Sequence, residues 1–331
     1  MGETTGIAWT DSTINVWHGC HKVDALCRNC YAEVSTPVRV KRAAGLEVWG
    51  ASAARSETKG WEASLRKWQR AAAAHRAIYA DPPSPFVWRV FGQSLSDTFE
   101  DRGDDRCVES PITVGRTTLP ALRARFFAAI EAAPALTFQL LTKRPENITR
   151  MVPPSWLSSW PAHVWIGTSV GDQESADLRI PHLLRVPAAV RFLSVEPQLG
   201  PVDLRRVSFG DGQWGDALVH GDQIHWVIQG GESGSKARSF DLAWARSLRD
   251  QCRATGTAYF LKQLGARTVC NPKVGGMIGN SPVTHYDTVR LVDSHGGDES
   301  EWPADLQGCR SFPEPMVALV ARGIDRDRNG R

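Results

Sequence analysis

Three cysteines near the start of the chain have types and spacing that suit metal chemistry. Cys20, Cys27 and Cys30 form a C-x6-C-x2-C pattern, with a glycine before the first cysteine and Tyr31 after the last. Structural zinc sites usually take four nitrogen or sulfur ligands, so three thiolates leave such a site one ligand short. Three thiolates suit a [4Fe-4S] cluster whose fourth iron stays open to a small molecule. The pattern therefore predicts these cysteines as the ligands of a catalytic iron–sulfur cluster.

Other roles for the thiols stay open on the sequence alone. A structural zinc site could take His18 or His21 as its fourth ligand. We expect no disulfide framework, because the first residues carry no secretory signal pattern. Free cysteine is also a common core residue, and this is a further reading of the three thiols. The other cysteines are scattered, and we expect them to be reduced and mostly buried: Cys107, Cys252, Cys270 and Cys309.

The composition is typical of a protein with a substantial core and reduced thiols. Of the 331 residues, 42% are hydrophobic, which allows one large domain or two ordinary ones. The formal net charge of +3 neither demands nor excludes nucleic acid as a partner. No apolar stretch is long enough to span a membrane. We therefore expect a cytoplasmic protein that does not enter a membrane.

Short apolar segments alternate with helical ones along most of the chain. Together with a strand-like lead at Ile7–Trp17, they give about seven β/α units. Apolar runs of this kind are typical of parallel strands buried on both faces. The pattern predicts an α/β fold, a full or partial (β/α) barrel of about six to seven parallel strands, with a doubly wound open sheet as the alternative. The predicted strands are Phe86–Phe91, Leu136–Leu141, His163–Ile166, Val190–Leu193, Ile224–Ile228 and Ala258–Leu261. The predicted helices between them are Leu119–Ala133, Asp172–Leu184 and Leu242–Thr255.

The predicted domain organisation follows from where the alternation of strands and helices begins and ends. We predict one barrel domain at residues 1–265, with a helical insertion at about 35–80. Residues 266–331 are rich in Gly, Pro and Asp, and we expect them to form an irregular C-terminal extension that wraps around the barrel or acts as a lid. Gly275-Gly276 indicates a turn there. Inside the helices, Pro181 predicts a break or kink, Asp172 an N-cap and Gly256 a C-terminal cap.

One helix in the insertion carries a concentration of positive charge. The segment Trp61–Ala80 is rich in alanine and has few acidic residues. A solvated helix face is the favoured interpretation, and a surface that contacts phosphates is the alternative. The basic residues concerned are Arg66, Lys67, Arg70 and Arg76.

Polar or small residues follow each predicted strand. In parallel α/β folds the carboxyl ends of the strands carry the functional site, and the cysteine loop also follows a strand. We therefore expect these residues to face the same side of the sheet as the cysteines. The candidate site residues are Ser94, Ser96, Asp97, Lys143, Arg144, Thr168, Ser169, Glu196, Gly230, Gly231, Glu232 and Lys262.

Five segments, in this order, carry a resemblance to a known family: Gly6–Asp11, Cys30–Glu33, Gln139–Pro145, Phe192–Pro197 and Gly230–Gly234. Together with the Gly-Cys start of the cysteine loop, they resemble the phage-type three-cysteine-motif family over nearly the whole chain. That family looks related to radical S-adenosylmethionine (SAM) enzymes. Its cysteine segment is similar to that of the spore-photoproduct-lyase-like branch, which acts on DNA. This chain has six residues between the first two cysteines, where the usual radical-SAM loop has three.

The resemblance implies a radical-SAM-like barrel and a radical SAM enzyme. Its cofactors would be a [4Fe-4S] cluster, held by Cys20, Cys27 and Cys30, and S-adenosyl-L-methionine. Cleavage of SAM to a 5′-deoxyadenosyl radical would modify or repair a nucleobase or nucleic acid, so the substrate would be DNA, RNA or a nucleotide. Thirteen tryptophans offer rings for base stacking.

The resemblance also implies a contact for each part of SAM. Ser94, Ser96 and Asp97 would hold the amino group, and Lys143 or Arg144 the carboxylate. Further contacts would come from Tyr31 with the cluster or adenine, Thr168 and Ser169 with the ribose, Glu196 with the ribose or substrate, Gly230, Gly231 and Glu232 with the adenine or substrate, and Lys262 with the substrate.

Partners follow from the same resemblance, and two other functions stay open. The implied partners are a flavodoxin- or ferredoxin-type reductant and a dedicated three-cysteine-motif partner protein. The alternative function is a zinc- or cluster-bound nucleic-acid-binding or assembly protein without SAM chemistry. The third is a redox or repair protein that uses the cluster without SAM.

Overall fold

The structure, a computed structural model, describes residues 5–78, 87–102, 107–109, 117–219, 221–278 and 281–313. Its main feature is a parallel sheet of seven strands that lie in the order of the chain. A doubly wound sheet would reverse its strand order, so that alternative is wrong and the predicted partial (β/α) barrel is confirmed. The strands are β1 Ser12–Ile14, β2 Trp88–Gly92, β3 Leu136–Thr142, β4 Val164–Ser169, β5 Arg191–Val195, β6 Trp226–Gly230 and β7 Ala258–Gln263.

The central strands are buried along their whole length, as their apolar runs predict. Every residue of β4, β5 and β6 is buried, which is typical of a sheet covered on both faces. Several strands extend further than predicted, because polar residues continue the ladder. Thr142, for example, pairs with Thr168 in the register between β3 and β4. Thr168 and Ser169 therefore belong to β4 itself, and not to a loop after it.

In the described part, α-helices precede every strand from β2 to β7 except β6. They are α1 Thr36–Ala43, α2 Trp61–Ile78, α3 Leu119–Glu131, α4 Ile148–Met151, α5 Pro154–Ser158, α6 Gln173–Leu184 and α7 Leu242–Thr255. The predicted caps are confirmed. Asp172 accepts a hydrogen bond from the Ser175 backbone N–H, and Gly256 ends α7 with φ = 71°. The break predicted at Pro181 is wrong, because α6 continues through it and gives up only one backbone donor.

The chain divides into two compact units. The first unit holds β1 to β3 and nearly all of β4. Its core includes Phe126 and Phe127, whose rings lie 6.1 Å from Trp61 and 5.1 Å from Trp156 respectively. The second unit holds most of β5 and all of β6 and β7. There the ring of Trp226 lies 5.8 Å from Phe192.

Strands outside the main sheet correct two predictions. The insertion at 35–80 is not wholly helical, since Arg55–Glu57 forms a strand antiparallel to Trp17–His18. The C-terminal extension contains a long antiparallel pair, Thr268–Ile278 and Ser281–Val289, so Gly275-Gly276 lies within a strand and not in a turn. The further strands are Cys107–Glu109, Thr117–Thr118, Val207–Gly210, Gln213–Gly215 and Phe240–Asp241.

The predicted domain boundary after residue 265 and the wrapping or lid role stay predictions, and residues 314–331 lie outside the described residues. Among the described helices, none has the length and apolar character needed to cross a membrane.

Candidate functional site

The cysteine loop follows β1 and the short strand Trp17–His18, and glycine is required where it begins. Gly19 has φ = 111°, and a Cβ atom there would lie 2.2 Å from the backbone oxygen of Val48. Two backbone hydrogen bonds fix the loop entrance: the Gly19 N–H donates to Leu95 O at 3.1 Å, and the Gly50 N–H donates to Cys20 O at 2.9 Å. The Gly-Cys pair of the motif thus reflects a close approach of two backbone segments.

The three cysteines of this loop are half-buried. Cys27 ends the turn Ala25–Cys27, and Cys30 precedes the turn Tyr31–Val34. Burial raises the pKa of Cys30, and the positive charge of Lys143 opposes this effect. Among the described residues, no group of three or more His, Cys, Asp or Glu side chains is close enough together to hold a metal ion.

Arg144 connects the first cysteine to the end of β3. Its Nη1 donates to Cys20 Sγ at 3.7 Å and to Asp97 Oδ2 at 2.8 Å, and its Nη2 donates to the backbone oxygen of His21 at 3.0 Å. Burial of the side chain alone would lower the pKa of its guanidinium, but the negative charge of Asp97 outweighs burial and raises this pKa above its usual range. Arg144, Asp97 and Cys20 were predicted from separate strand ends, and the structure brings them together.

Asp97 is enclosed by donors from this chain. Its Oδ1 accepts hydrogen bonds from Thr142 Oγ1 at 2.7 Å and from the Phe99 N–H at 2.9 Å. Its Oδ2 accepts from Arg144 and from the Lys143 N–H at 3.2 Å. These bonds fill about four acceptor positions, the capacity of a carboxylate. Asp97 therefore joins the segments after β2 and β3, and its predicted cofactor contact stays a prediction.

Glu100 extends this network beneath the cysteine loop. It accepts two hydrogen bonds from Arg55, from Nε at 2.8 Å and from Nη2 at 2.6 Å, and it contacts His21 Nδ1 at 2.5 Å. Because a guanidinium can only donate, His21 Nε2 must accept the hydrogen bond from Arg144 at 3.2 Å. The ring proton is therefore on Nδ1, which donates a hydrogen bond to Glu100. Burial alone would raise the pKa of Glu100, but the bonds from Arg55 and His21 lower it to about 2.

Cys20 is a protonated thiol in this setting. Burial raises its pKa to about 12, and the negative charges of Glu100 and Asp97 add to the effect, while Arg144 opposes it. Metal binding at Cys20 would release this proton, because a thiolate is the form that ligates metal.

The predicted residues after β2 are held by neighbouring polar groups. Ser94 Oγ accepts from Asn15 Nδ2 at 2.9 Å, and Ser96 Oγ donates to Gln93 Oε1 at 2.9 Å. The Tyr31 hydroxyl donates to Ser94 O at 2.9 Å, yet its side chain is 57% exposed. Tyr31 is therefore not a core residue, and its ring borders the cysteine loop and the segment after β2.

Two further predicted site residues, Thr168 and Ser169, lie at the end of β4. Both are buried. The Thr168 hydroxyl donates to Thr142 O at 2.8 Å, which ties β4 to β3. Ser169 O accepts from Arg179 Nη1 at 2.9 Å. Their predicted ribose contacts stay predictions.

In the second unit, Glu196 and Lys262 form an ion pair after β5 and within β7. Lys262 Nζ lies 2.6 Å from Glu196 Oε1, and Gln263 Nε2 donates to the same oxygen at 3.2 Å. Gly230 leaves room for this carboxylate, since a Cβ atom there would lie 3.3 Å from Glu196 Cδ. The structure therefore brings together Glu196, Lys262 and Gly230.

Gly231 and Glu232 have structural partners of their own. A Cβ atom on Gly231 would lie 2.2 Å from the backbone oxygen of Leu264, so only glycine fits there. Glu232 is buried and accepts from Arg238 through Nη2 at 2.6 Å and through Nε at 2.9 Å. Its bidentate partner was not predicted, and the adenine or substrate contacts of both residues stay predictions.

The donor set of the cysteine loop fits an iron–sulfur cluster by its chemistry. Three thiols share one half-buried loop, and the cations of Arg144 and Lys143 lie beside it, where they can offset thiolate charge. A zinc site completed by a histidine stays an alternative. Both ring nitrogens of His21 have partners. His18 is buried, its Nδ1 has no partner among the described residues, and burial and Lys41 lower its pKa to about 4, which keeps the ring in the neutral form that can bind a metal. In either case the thiols must move closer together to share a metal.

The exposure of the basic residues of α2 and the burial of the other cysteines were also predicted from the sequence. The basic residues of α2 are exposed, as the solvated helix face predicts: Arg66, Lys67, Arg70 and Arg76. Cys252 is buried and unpaired, as predicted, whereas Cys270 and Cys309 are half-buried. The side chain of Cys107 lies outside the described residues.

Sequence reasoning missed several residues of the network. Glu100 lies three residues after Asp97, and its position shortly after the end of β2 was the only feature of the sequence that could have marked it as a site residue. Arg55 lies in a segment rich in Gly, Ala and Ser without periodicity, so nothing marked it as the partner of Glu100. Asn15 and Gln93, which hold the segment after β2, carried no signal either.

A comparison with family models finds one that matches residues 4–295 and is described as "Protein of unknown function (DUF5131)". No curated protein matches the chain. No solved structure matches it. The family match covers most of the chain, and the protein therefore belongs to the DUF5131 family.

Proposed function

We propose that this protein is a radical-SAM-type iron–sulfur enzyme that modifies or repairs a nucleobase or nucleic acid. One observation carries the proposal: a loop with three half-buried thiols follows the first strand of a partial parallel (β/α) barrel. That fold is compatible with such an enzyme, and its strand ends are where catalytic groups of β/α barrels lie. The resemblance to the phage-type three-cysteine-motif family supports the same function.

Cys20, Cys27 and Cys30 would hold a [4Fe-4S] cluster, and Tyr31 would border the bound cofactor. When bound, the cluster and SAM supply a 5′-deoxyadenosyl radical that abstracts hydrogen from the substrate. The chain's own residues orient and shield this site. Arg144 fixes Cys20 relative to Asp97, which makes it a positioning residue in this proposal. An external reductant of flavodoxin or ferredoxin type and a three-cysteine-motif partner protein complete the proposed system.

Charge and exposed rings support a nucleic-acid or nucleotide substrate. Helix α2 presents exposed arginines to solvent, and phosphate backbones bind such surfaces. The ring of Tyr31 is more than half exposed beside the cysteine loop, where a base can stack on it.

The test is anaerobic reconstitution of the full-length protein. We expect iron and sulfide to bind with a broad absorbance near about 400 nm, and SAM with dithionite to yield 5′-deoxyadenosine. Cys27→Ala should abolish both signals. Cys252→Ala is the matched control, since Cys252 is a buried thiol of α7, and it should leave both unchanged.

Three outcomes would contradict the proposal. Stoichiometric zinc without iron would indicate a binding or assembly protein. A cluster that forms without 5′-deoxyadenosine would indicate a redox or repair role without SAM. Equal loss of absorbance in the Cys27 and Cys252 variants would show that the signal does not come from the cysteine loop.

A further inference from the structure

A cavity of the first unit lies between α3, α4 and the segment after β2. Its volume is about 490 Å3. Its lining includes the apolar residues Leu119, Phe127 and Val152 and the cationic residues Arg123 and Arg150. Neither the cysteines nor Arg144 contribute to this lining. The cavity therefore needs an explanation separate from the proposed cluster site.

Arg123 is the unusual residue of this cavity. It is only 6% exposed, yet no carboxylate of the described residues lies within ion-pairing distance of its guanidinium. Its Nε donates to Thr98 O at 2.7 Å and its Nη2 donates to Glu100 O at 2.7 Å. These bonds hold the guanidinium in one orientation and leave Nη1 without a partner among the described residues. A buried cation paired only with backbone carbonyls keeps most of its capacity to bind an anion.

Arg150 adds a second guanidinium at the rim of the same cavity. Its side chain is 53% exposed, and its Nη2 donates to Asp101 Oδ2 and, at 2.8 Å, to Asn147 Oδ1. Nε and Nη1 make no hydrogen bond within the described residues. The acidic side chains of the lining have partners already: Asp101 binds Arg150, Glu131 accepts from Trp156 Nε1 at 2.7 Å, and Glu100 binds Arg55.

We propose that this cavity binds a phosphate monoester, with Arg123 as the deep donor and Arg150 as the donor at the rim. Two guanidinium groups with unused N–H donors match the charge and the three terminal oxygens of a phosphate dianion. The apolar lining residues Leu119, Phe127 and Val152 suit the organic group that the phosphate carries. The site goes beyond the proposed function and does not depend on a cluster.

The test is calorimetric titration of the full-length, cluster-free protein with phenyl phosphate. We expect saturable binding at one site, weakened at least about tenfold in Arg123→Gln and in Arg150→Gln. Arg39→Gln is the matched control: it makes the same charge change on exposed helix α1, outside the cavity lining, and should leave the affinity unchanged. Because Arg123 also binds backbone carbonyls, circular dichroism must show that the Arg123→Gln variant is folded. If that variant does not fold, the affinity of the Arg150→Gln variant, changed at an exposed side chain, tests the proposal.

Two further ligands test the chemical class. Phenol lacks the anion and benzoate carries only one negative charge, so both should bind at least about tenfold more weakly than phenyl phosphate. Equal binding of phenol or benzoate, equal affinity in all three variants, or no binding of phenyl phosphate at millimolar concentration would each overturn the proposal. None of these results depends on iron or SAM, so the two proposals can fail separately.

Discussion

Arg55 and Glu100 form a bidentate ion pair in which the two side chains are 1% and 0% exposed. The same guanidinium donates to Val48 O at 3.0 Å and to Ala53 O at 2.9 Å, and the same carboxylate contacts His21. One buried ion pair therefore joins the cysteine loop, the segment after α1 and the segment after β2. The position of Cys20 depends on groups that are distant from it in the chain.

Replacing Glu100 by glutamine should destabilise the fold strongly. The substitution keeps the size of the side chain but leaves the buried Arg55 without its counter-charge, which costs about 3–5 kcal/mol. Urea denaturation at pH 7 measures this change. Glu47→Gln is the matched control, because Glu47 forms an exposed ion pair with Arg42, and it should change the unfolding midpoint little. Equal midpoints for the two variants would contradict the assigned role of the Arg55–Glu100 pair.

The low pKa of Glu100 predicts a loss of stability in acid. Burial would raise this pKa, but Arg55 and His21 lower it from 4.5 to about 2 in the folded protein. The folded state therefore favours the ionised form, and its stabilisation is complete above pH 4.5 and is lost as pH falls towards 2. This contribution is about 3 kcal/mol. Urea unfolding at several pH values should show it in the wild type, and the Glu100→Gln variant should lack that part of the pH dependence.

Gly19→Ala should lower the stability of the fold by more than the strain of its positive φ alone explains. A Cβ atom at Gly19 would lie 2.2 Å from Val48 O, whereas Gly45, with φ = 82°, has no atom within 4 Å of such a Cβ. We expect Gly45→Ala to cost about 1 kcal/mol and Gly19→Ala at least about 2 kcal/mol. Thermal unfolding of both variants measures the difference. Similar melting temperatures would mean that the close approach to Val48 relaxes without cost.

Arg144→Lys should destabilise the first unit although it keeps the charge. Lysine can pair with Asp97, but it cannot also reach the backbone oxygen of His21 and Cys20 in the planar geometry of arginine. The expected loss is about 1–2 kcal/mol in urea unfolding. Arg150→Lys is the control at an exposed position and should change stability less. A reversed order of the two variants would exclude Arg144 as the residue that fixes Cys20.

Gly231→Ala tests the packing of the second unit. The added methyl group would lie 2.2 Å from Leu264 O and 2.9 Å from Phe240 Cβ, and backbone atoms cannot move aside cheaply. We expect a loss of about 2 kcal/mol or more. Gly221 has no atom within 4 Å of an added Cβ, so Gly221→Ala should be close to the wild type. An equally stable Gly231 variant would contradict the close packing of the segment after β6 against the segment after β7.

The fold could be predicted because its strands are continuous apolar runs. Phe192 and Trp226, for example, lie in strands that are buried at every position, so their sequences show the sheet directly. Polar strand ends were harder to assign, since Thr168 continues the ladder through its pairing with Thr142. Gly275-Gly276 suggested a turn, but the two glycines lie inside the strand Thr268–Ile278, at a register shift in its pairing, which is a position that glycine also favours.

The candidate site could be predicted only in part. The carboxyl ends of parallel strands lie at the same edge of a sheet, and this rule correctly placed Asp97 and Arg144 together near Cys20. The sequence could not show that these two side chains bind each other, because that depends on distances between separate loops. Glu100 and Arg55 escaped prediction for the same reason: their interaction links residues 45 positions apart, and neither has a local pattern.

The order of the strands in the sheet has a consequence for synthesis of the protein on the ribosome. In the first unit, β3 pairs with β2 and β4 pairs with β3, so each of these strands meets a neighbour that has already emerged. Strand β1 differs, because it pairs with β2 only after the whole segment 15–87 has been translated. The cysteine loop, which follows β1 and the strand Trp17–His18, therefore lacks the support of the sheet during that interval, and its thiols lack the partial burial that they have in the folded chain.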